Sequence, residues 1–84
     1  MTIDDKIRAL LVDVLGISAD RAAAFTDDTG LFGSLPELDS MAVAGLLTEL
    51  EDRLDIIVDD DEVDGELLET FGNLVAFTKR KLGA

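Results

Sequence analysis

The sequence predicts an all-α fold: a four-helix bundle with a long first loop and a short third helix. Three observations carry that expectation. Apolar residues recur at three- and four-residue spacing in three separate stretches. Only one short β-branched run, Ile56-Ile57-Val58, suggests a strand, and no second segment alternates well enough to pair with it. Clusters of Gly, Asp, Ser and Pro fall between the periodic stretches, where helices must stop.

The first helix is expected over residues 3–15, where Ile3, Ile7, Leu10, Leu11 and Val14 form one stripe. Thr2 can cap its start, Asp5 suits the positive end of its dipole, and Gly16 stands where a left-handed C-cap belongs. Residues 16–39 do not read as one element. Ser18 can cap a short turn through Ala22-Ala23-Ala24, and Asp27-Asp28-Thr29-Gly30 and Gly33-Ser34-Leu35-Pro36 then break the chain twice. So long a connection needs anchors, for which Phe25, Leu31, Phe32 and Leu35 are the candidates.

The next helix opens at Asp39 or Ser40, either of which can cap it. Val43, Leu46, Leu47, Leu50 and Leu54 make its core stripe, and Ala44, Gly45, Thr48, Glu51, Asp52 and Asp55 its opposite face. Gly45 costs about 1 kcal/mol against Ala in a helix interior, so it either meets something closely or is merely tolerated. Ile56 to Val58 reads as an extended loop that anchors Ile56 and Val58. A short third helix is expected around Val63–Leu68. Thr70 starts the last helix, in which Phe71, Leu74, Val75, Phe77 and Thr78 precede Lys79-Arg80-Lys81, whose charges suit the C-terminal dipole.

The 84 residues fit one domain, 1–84, with an aliphatic core, since there are four Phe and neither Tyr nor Trp. With no Cys there is neither a disulfide framework nor a thiolate metal site, and with no His the usual base for a serine nucleophile is missing. The acidic N-terminus does not resemble a signal peptide and no apolar run reaches membrane-spanning length, so a cytoplasmic monomer without a membrane span is expected. The net charge of −12 is unevenly placed: residues 37–69 hold thirteen acids against one base, Arg53, and the rest of the chain is neutral. Nucleic-acid binding requires the opposite sign. A segment this acidic attracts basic partner surfaces, and it also keeps a small protein soluble.

Leu38-Asp39-Ser40-Met41 is the singular motif. Ser40 lies where a loop becomes a helix, so its hydroxyl is exposed near unpaired backbone N–H groups, a setting that favours an attached phosphate. Glu37 and Asp39 oppose that favour by like-charge repulsion. Asp-Ser before an amphipathic helix is also an ordinary capping arrangement.

Along nearly its full length the chain resembles the acyl carrier protein family. The resemblance rests on an N-terminal helix, a long loop, and Asp39-Ser40-Met41 opening an acidic helix that runs into Glu49-Leu50-Glu51-Asp52-Arg53-Leu54, followed by an acidic stretch and a closing helix. It implies that Ser40 receives 4′-phosphopantetheine, covalently, from coenzyme A through a separate phosphopantetheinyl transferase. Asp39 is then the adjacent acid that the transferase recognises and uses in placing its metal, and Met41, Ala44, Glu51 and Asp52 lie on the partner-facing side. The implied function is non-catalytic: carrying acyl or aminoacyl thioesters between acyl ligases or synthases, for fatty-acid, polyketide or other specialised acyl biosynthesis. The Leu-rich core would open to shelter an acyl chain. Two features depart from the family pattern. Ala42, Ala44 and Gly45 stand where further acids are common, and Gly33-Ser34-Leu35-Pro36-Glu37-Leu38 replaces a commoner glycine-rich run. The second is similar to stand-alone carriers found beside acyl ligases in specialised or envelope-polymer gene clusters.

The alternative from the residues alone is an acidic helical interaction module without a prosthetic group, with Ser40 only a cap. A calcium loop in Asp59–Gly65 fails at its strongest ligand: with Asp60, Glu62, Asp64 and Gly65 at positions 1, 3, 5 and 6, position 12 is Phe71. No carboxylate pair sits in an apolar setting suited to acid–base catalysis, so neither catalytic residues nor a metal site are expected.

Overall fold

The computed structural model describes residues 2–83. Four helices follow in order: α1 (Ile3–Leu15), α2 (Ala19–Ala23), α3 (Ser40–Leu54) and α4 (Phe71–Lys81), with a 3-10 turn at Asp60–Glu62. No strand forms among the described residues, and Ile56 and Val58 lie in extended loop with Ile56 buried. The all-α, four-helix expectation holds, with one difference of placement. Residues 63–68 are a run of turns instead of a helix, and the regular element precedes them as the 3-10 turn. The local cause is Asp64, whose carboxylate accepts the N–H groups of both Glu66 and Leu67 at 3.0 Å and so replaces helical backbone bonding. The short helical turn after Ser18 is α2, which completes the four.

Each helix begins on a side-chain cap. Thr2 and Asp5 form a reciprocal capping box at α1, and Ser18, Asp39 and Thr70 accept N–H groups of the first turns of α2, α3 and α4. The left-handed Gly16 ends α1, and its N–H donates to the carbonyl of Val12. Three basic residues close α4, as its dipole favours.

The hub is α1, which packs against α2, α3 and α4, and no other two helices pack together among the described residues. Ile7, Leu10 and Leu11 are buried there against Leu46, Leu50 and Leu54 of α3 and Phe71, Leu74 and Val75 of α4. Burying each such side chain contributes about 1.5–3 kcal/mol. Among the described residues Thr78 is the one buried polar residue, and its hydroxyl donates to the Leu74 carbonyl at 2.9 Å.

With α3 and α4 apart, loop residues complete the core. The connection over residues 24–39 is fastened to the segment before α4 by backbone bonds. Leu31 N–H donates to Glu69 C=O at 3.0 Å and Phe32 N–H to Leu68 C=O at 2.8 Å. Phe71 N–H donates to Thr29 C=O at 2.8 Å and Gly72 N–H to Asp27 C=O at 3.0 Å. Gly30 and Thr70 face each other in this short antiparallel bridge. The backbones approach so closely that a Cβ on Gly72 would lie 2.7 Å from the Asp27 carbonyl oxygen, and one on Gly30 would strike the Ser34 side chain. Phe25, Leu31 and Leu35 are buried as expected, but Phe32 is not an anchor, being 51% exposed. The chain turns over residues 32–34, closed by the Ser34 and Leu35 N–H groups on the Leu31 carbonyl, and this leaves Leu31 in the core and Phe32 outside it.

Arg8 ties three elements together. Its guanidinium donates to the carbonyls of Ala22 (3.1 Å) and Phe25 (3.0 Å) and lies 4.9 Å from the centre of the Phe71 ring. Two charge-assisted bonds and a cation–π contact thus tie α1 to α2, to the loop after it and to α4. Arg8→Ala should lower the unfolding free energy by about 2 kcal/mol in urea titration, and Arg8→Lys should recover little, because an ammonium cannot reproduce the fork. Gly45 behaves oppositely. It is exposed, and a Cβ there would meet only Val14 Cγ1 at 4.0 Å, so it is tolerated instead of required. Gly45→Ala should raise stability by about 1 kcal/mol in the same assay.

Candidate functional site

The candidate site lies at the mouth of α3, and its geometry starts with Asp39. This residue is the N-cap: its Oδ1 accepts the Ala42 N–H at 2.8 Å. Ser40 is therefore the first helical residue and is free of the capping task. It is exposed, and no described side chain or backbone group hydrogen-bonds its hydroxyl. The N–H groups of Ser40 and Met41 belong to the first turn, where α3 has no internal acceptors for them. An oxyanion linked to Ser40 would meet these amides and the positive end of the helix dipole.

The expected repulsion from neighbouring acids is weaker than their number suggests. Glu37 makes a two-point ion pair with Arg21, at 2.6 Å (Oε2 to Nη1) and 3.4 Å (Oε1 to Nη2). The Arg21 hydrogen bonds hold the Glu37 carboxyl below the usual glutamate range. Asp39 directs one oxygen at the Ala42 amide. Beside Ser40 opens a crevice of about 370 Å³ lined by Phe32, Val43, Val63, Gly65 and Leu68, with Asp64 at its edge. The outward turn of Phe32 thus has a consequence: its ring forms one wall of this crevice.

The structure places the other sequence-predicted residues as follows. Met41 is 85% exposed, and Ala44 and Asp52 are exposed on the same outward side of α3. Glu51 is half-buried and its carboxylate accepts the Val58 N–H at 2.9 Å, so it braces the loop after α3. Glu49 pairs with Arg53 at 3.5 Å, and Arg53 reaches Asp13 of α1 at 2.8 Å. In the acidic stretch after α3, Glu62 accepts the Asp59 N–H and pairs with Lys81, while Asp64 is held by its own turn. Among the described residues no three carboxylates converge on a cation position.

A family model described as "Phosphopantetheine attachment site" matches residues 5–78 of the chain. The chain is also similar to a holo acyl carrier protein from Nitrosomonas europaea, solved in solution, at 40% identity over the whole of both chains and with a TM-score of 0.89. The chain belongs to the acyl carrier protein family. It is a carrier whose prosthetic group is a covalently attached phosphopantetheine. Carriers of this kind are in general non-catalytic and work with transferases and synthases. The site suits such a group, because an exposed hydroxyl beside free amides can accept a phosphodiester while the crevice leaves apolar space for what hangs from it. The group supplies a terminal thiol, which this Cys-free chain lacks.

The Arg21–Glu37 pair was not visible in sequence, since the partners lie sixteen positions apart with no periodic signal between them. It makes a titration prediction. The folded Glu37 carboxyl should titrate below the ordinary value of 4.5, and Arg21→Gln should move it back toward that value, as read by carboxyl-carbon NMR. Because the folded pKa is the lower one, the pair's contribution is present above the unfolded value and is lost as pH falls through the folded one.

Proposed function

We propose that Ser40 is the attachment site of 4′-phosphopantetheine and that the carrier presents acyl or aminoacyl groups as thioesters on that arm. The observation that carries this reading is the division of labour at α3, where Asp39 makes the cap and Ser40 is left exposed with an unpartnered hydroxyl. The other two serines fit less well. The Ser18 hydroxyl caps α2, and Ser34, though exposed, lies within the turn over residues 32–34 and not at the start of a helix. In the transfer, Ser40 Oγ bonds to the β-phosphorus of coenzyme A as the pyrophosphate linkage breaks. Adenosine 3′,5′-bisphosphate leaves, and the hydroxyl proton passes to a base. The chain has no His to serve as that base, so the phosphopantetheinyl transferase supplies it, with Asp39 as the adjacent acid that it recognises.

The arm raises the effective concentration of its cargo at each partner's active site, so the carrier needs a docking face more than a catalytic pocket. Met41, Ala44 and Asp52 form that face on α3, and the net charge concentrated in residues 37–69 steers basic partners toward it. Glu51 contributes to it by its charge while its carboxylate braces the loop. The apolar crevice beside Ser40 shelters part of an acyl chain. The partners are acyl ligases or synthases of fatty-acid, polyketide or other specialised acyl biosynthesis, and the carrier acts as a single-domain monomer in the cytoplasm.

The test is intact-mass spectrometry of apo protein incubated with coenzyme A, magnesium and a broad-specificity phosphopantetheinyl transferase. Wild type should gain one phosphopantetheine and folded Ser40→Ala none. A gain in Ser40→Ala would move the site to another residue. Failure of wild type with its own genome's transferase would remove the attachment reading and favour the unmodified acidic interaction module.

A further inference from the structure

We propose that the Arg21–Glu37 ion pair is a brace that fixes the turn presenting Ser40, which makes both residues positioning residues for its modification. The inference rests on the attachment reading above. It starts from how the loop before α3 is fastened. Upstream, the chain is held by the backbone bonds to Leu68 and Glu69 and by the burial of Leu31. Between Pro36 and Asp39 the buried Leu38 side chain anchors one face of the turn, but the polar fastening that would orient the other face is sparse. Pro36 has no N–H to give, and the Leu38 N–H bonds back to Leu35 C=O at 3.1 Å within the same turn. Among the described residues, the Glu37–Arg21 contact is the one polar link from residues 36–39 to a preceding helix.

The far end of that link is itself anchored to α1. Arg21 lies on α2, whose Ala22 is buried and whose Ala22 carbonyl accepts a bond from Arg8 of α1. The pair is two-pronged, which restrains orientation as well as distance. It is also too open to matter much for global stability: the side chains are 45% and 33% exposed, and exposed pairs contribute little to unfolding free energy. A link that hardly stabilises the fold, yet ties down the segment immediately before Ser40, acts locally. A transferase must bring Ser40 Oγ in line with a phosphorus atom, and small misplacements of a reacting group cost rate steeply.

The test uses full-length apo protein as wild type, Arg21→Gln, Glu37→Gln and the swapped pair Arg21→Glu/Glu37→Arg. Two readouts are taken: kcat/KM for phosphopantetheine transfer, and amide hydrogen exchange at Leu38 and Ala42. Each single variant should slow transfer about five-fold, the upper worth of an exposed pair, and should speed exchange at both amides, with Tm nearly unchanged. The swapped pair should restore both readouts, because it rebuilds the link with the charges reversed. Wild-type rate and exchange in the single variants would overturn the brace. So would slow transfer in the Arg21 variants that the swap fails to rescue while exchange stays unchanged, since Arg21 would then be touching the transferase or coenzyme A directly. If wild type is not modified at all but exchange follows the pair, the attachment reading fails and the restraint on the turn stands. If neither responds, both fall.

Discussion

The short backbone pairing between residues 27–32 and 68–72 is the constraint on which the rest of the structure depends. Three helices pack on α1, but α3 and α4 do not pack on one another, so the space between them must be filled by loop side chains. A long loop does that only if its backbone polar groups are satisfied, because an unpaired buried N–H or C=O costs as much as the apolar side chain gains. The bonds from Leu31, Phe32, Phe71 and Gly72 meet this need. They also dictate composition, since Gly30 and Gly72 stand where any side chain would collide. The same segment places Leu31 in the core and, at the turn that follows, Phe32 outside it, so it both closes the core and contributes a wall of the crevice beside Ser40.

From that frame the functional end of the molecule follows by separation of tasks. Asp39 satisfies the helix terminus, Arg21 occupies Glu37, and the serine between the cap and the outward face of α3 has no structural duty. The carboxylates that look like one acidic surface in the sequence divide in the same way. Glu51, Glu62 and Asp64 are engaged by backbone amides, and Glu49 by Arg53. Asp52 remains exposed beside Met41 and Ala44. Excess negative charge thus supplies a long-range field, while the outward side of α3 at Met41, Ala44 and Asp52, the face proposed for docking, is small and partly apolar.

Much of this was legible in the sequence because it is local. The stripe of Ile7, Leu10 and Leu11, the caps at Thr2, Ser18 and Thr70, and the stop at Gly16 are all written within a few residues of where they act. The mouth of α3 was legible as a motif, but the choice between Asp39 and Ser40 as cap needed geometry, since both side chains can play that part. What stayed hidden depends on distant partners. Nothing near Arg8 announces the carbonyls of Ala22 and Phe25, and nothing near Glu51 announces that its carboxylate turns back to Val58. The run of turns at 63–68 escaped for a different reason. Its apolar spacing suits a helix, but Asp64 captures two amides that a helix would need.

The central claim is that Asp39 builds the helix terminus and Ser40 is left free to be used. Equilibrium urea unfolding of Asp39→Ala and Ser40→Ala, side by side with the unmodified wild type, tests it most directly. Loss of the cap should cost Asp39→Ala about 1 kcal/mol, whereas Ser40→Ala should stay within about 0.5 kcal/mol of wild type, as for a surface position with no structural partner. A Ser40→Ala variant destabilised as much as Asp39→Ala would contradict the account, because the serine would then be part of the scaffold.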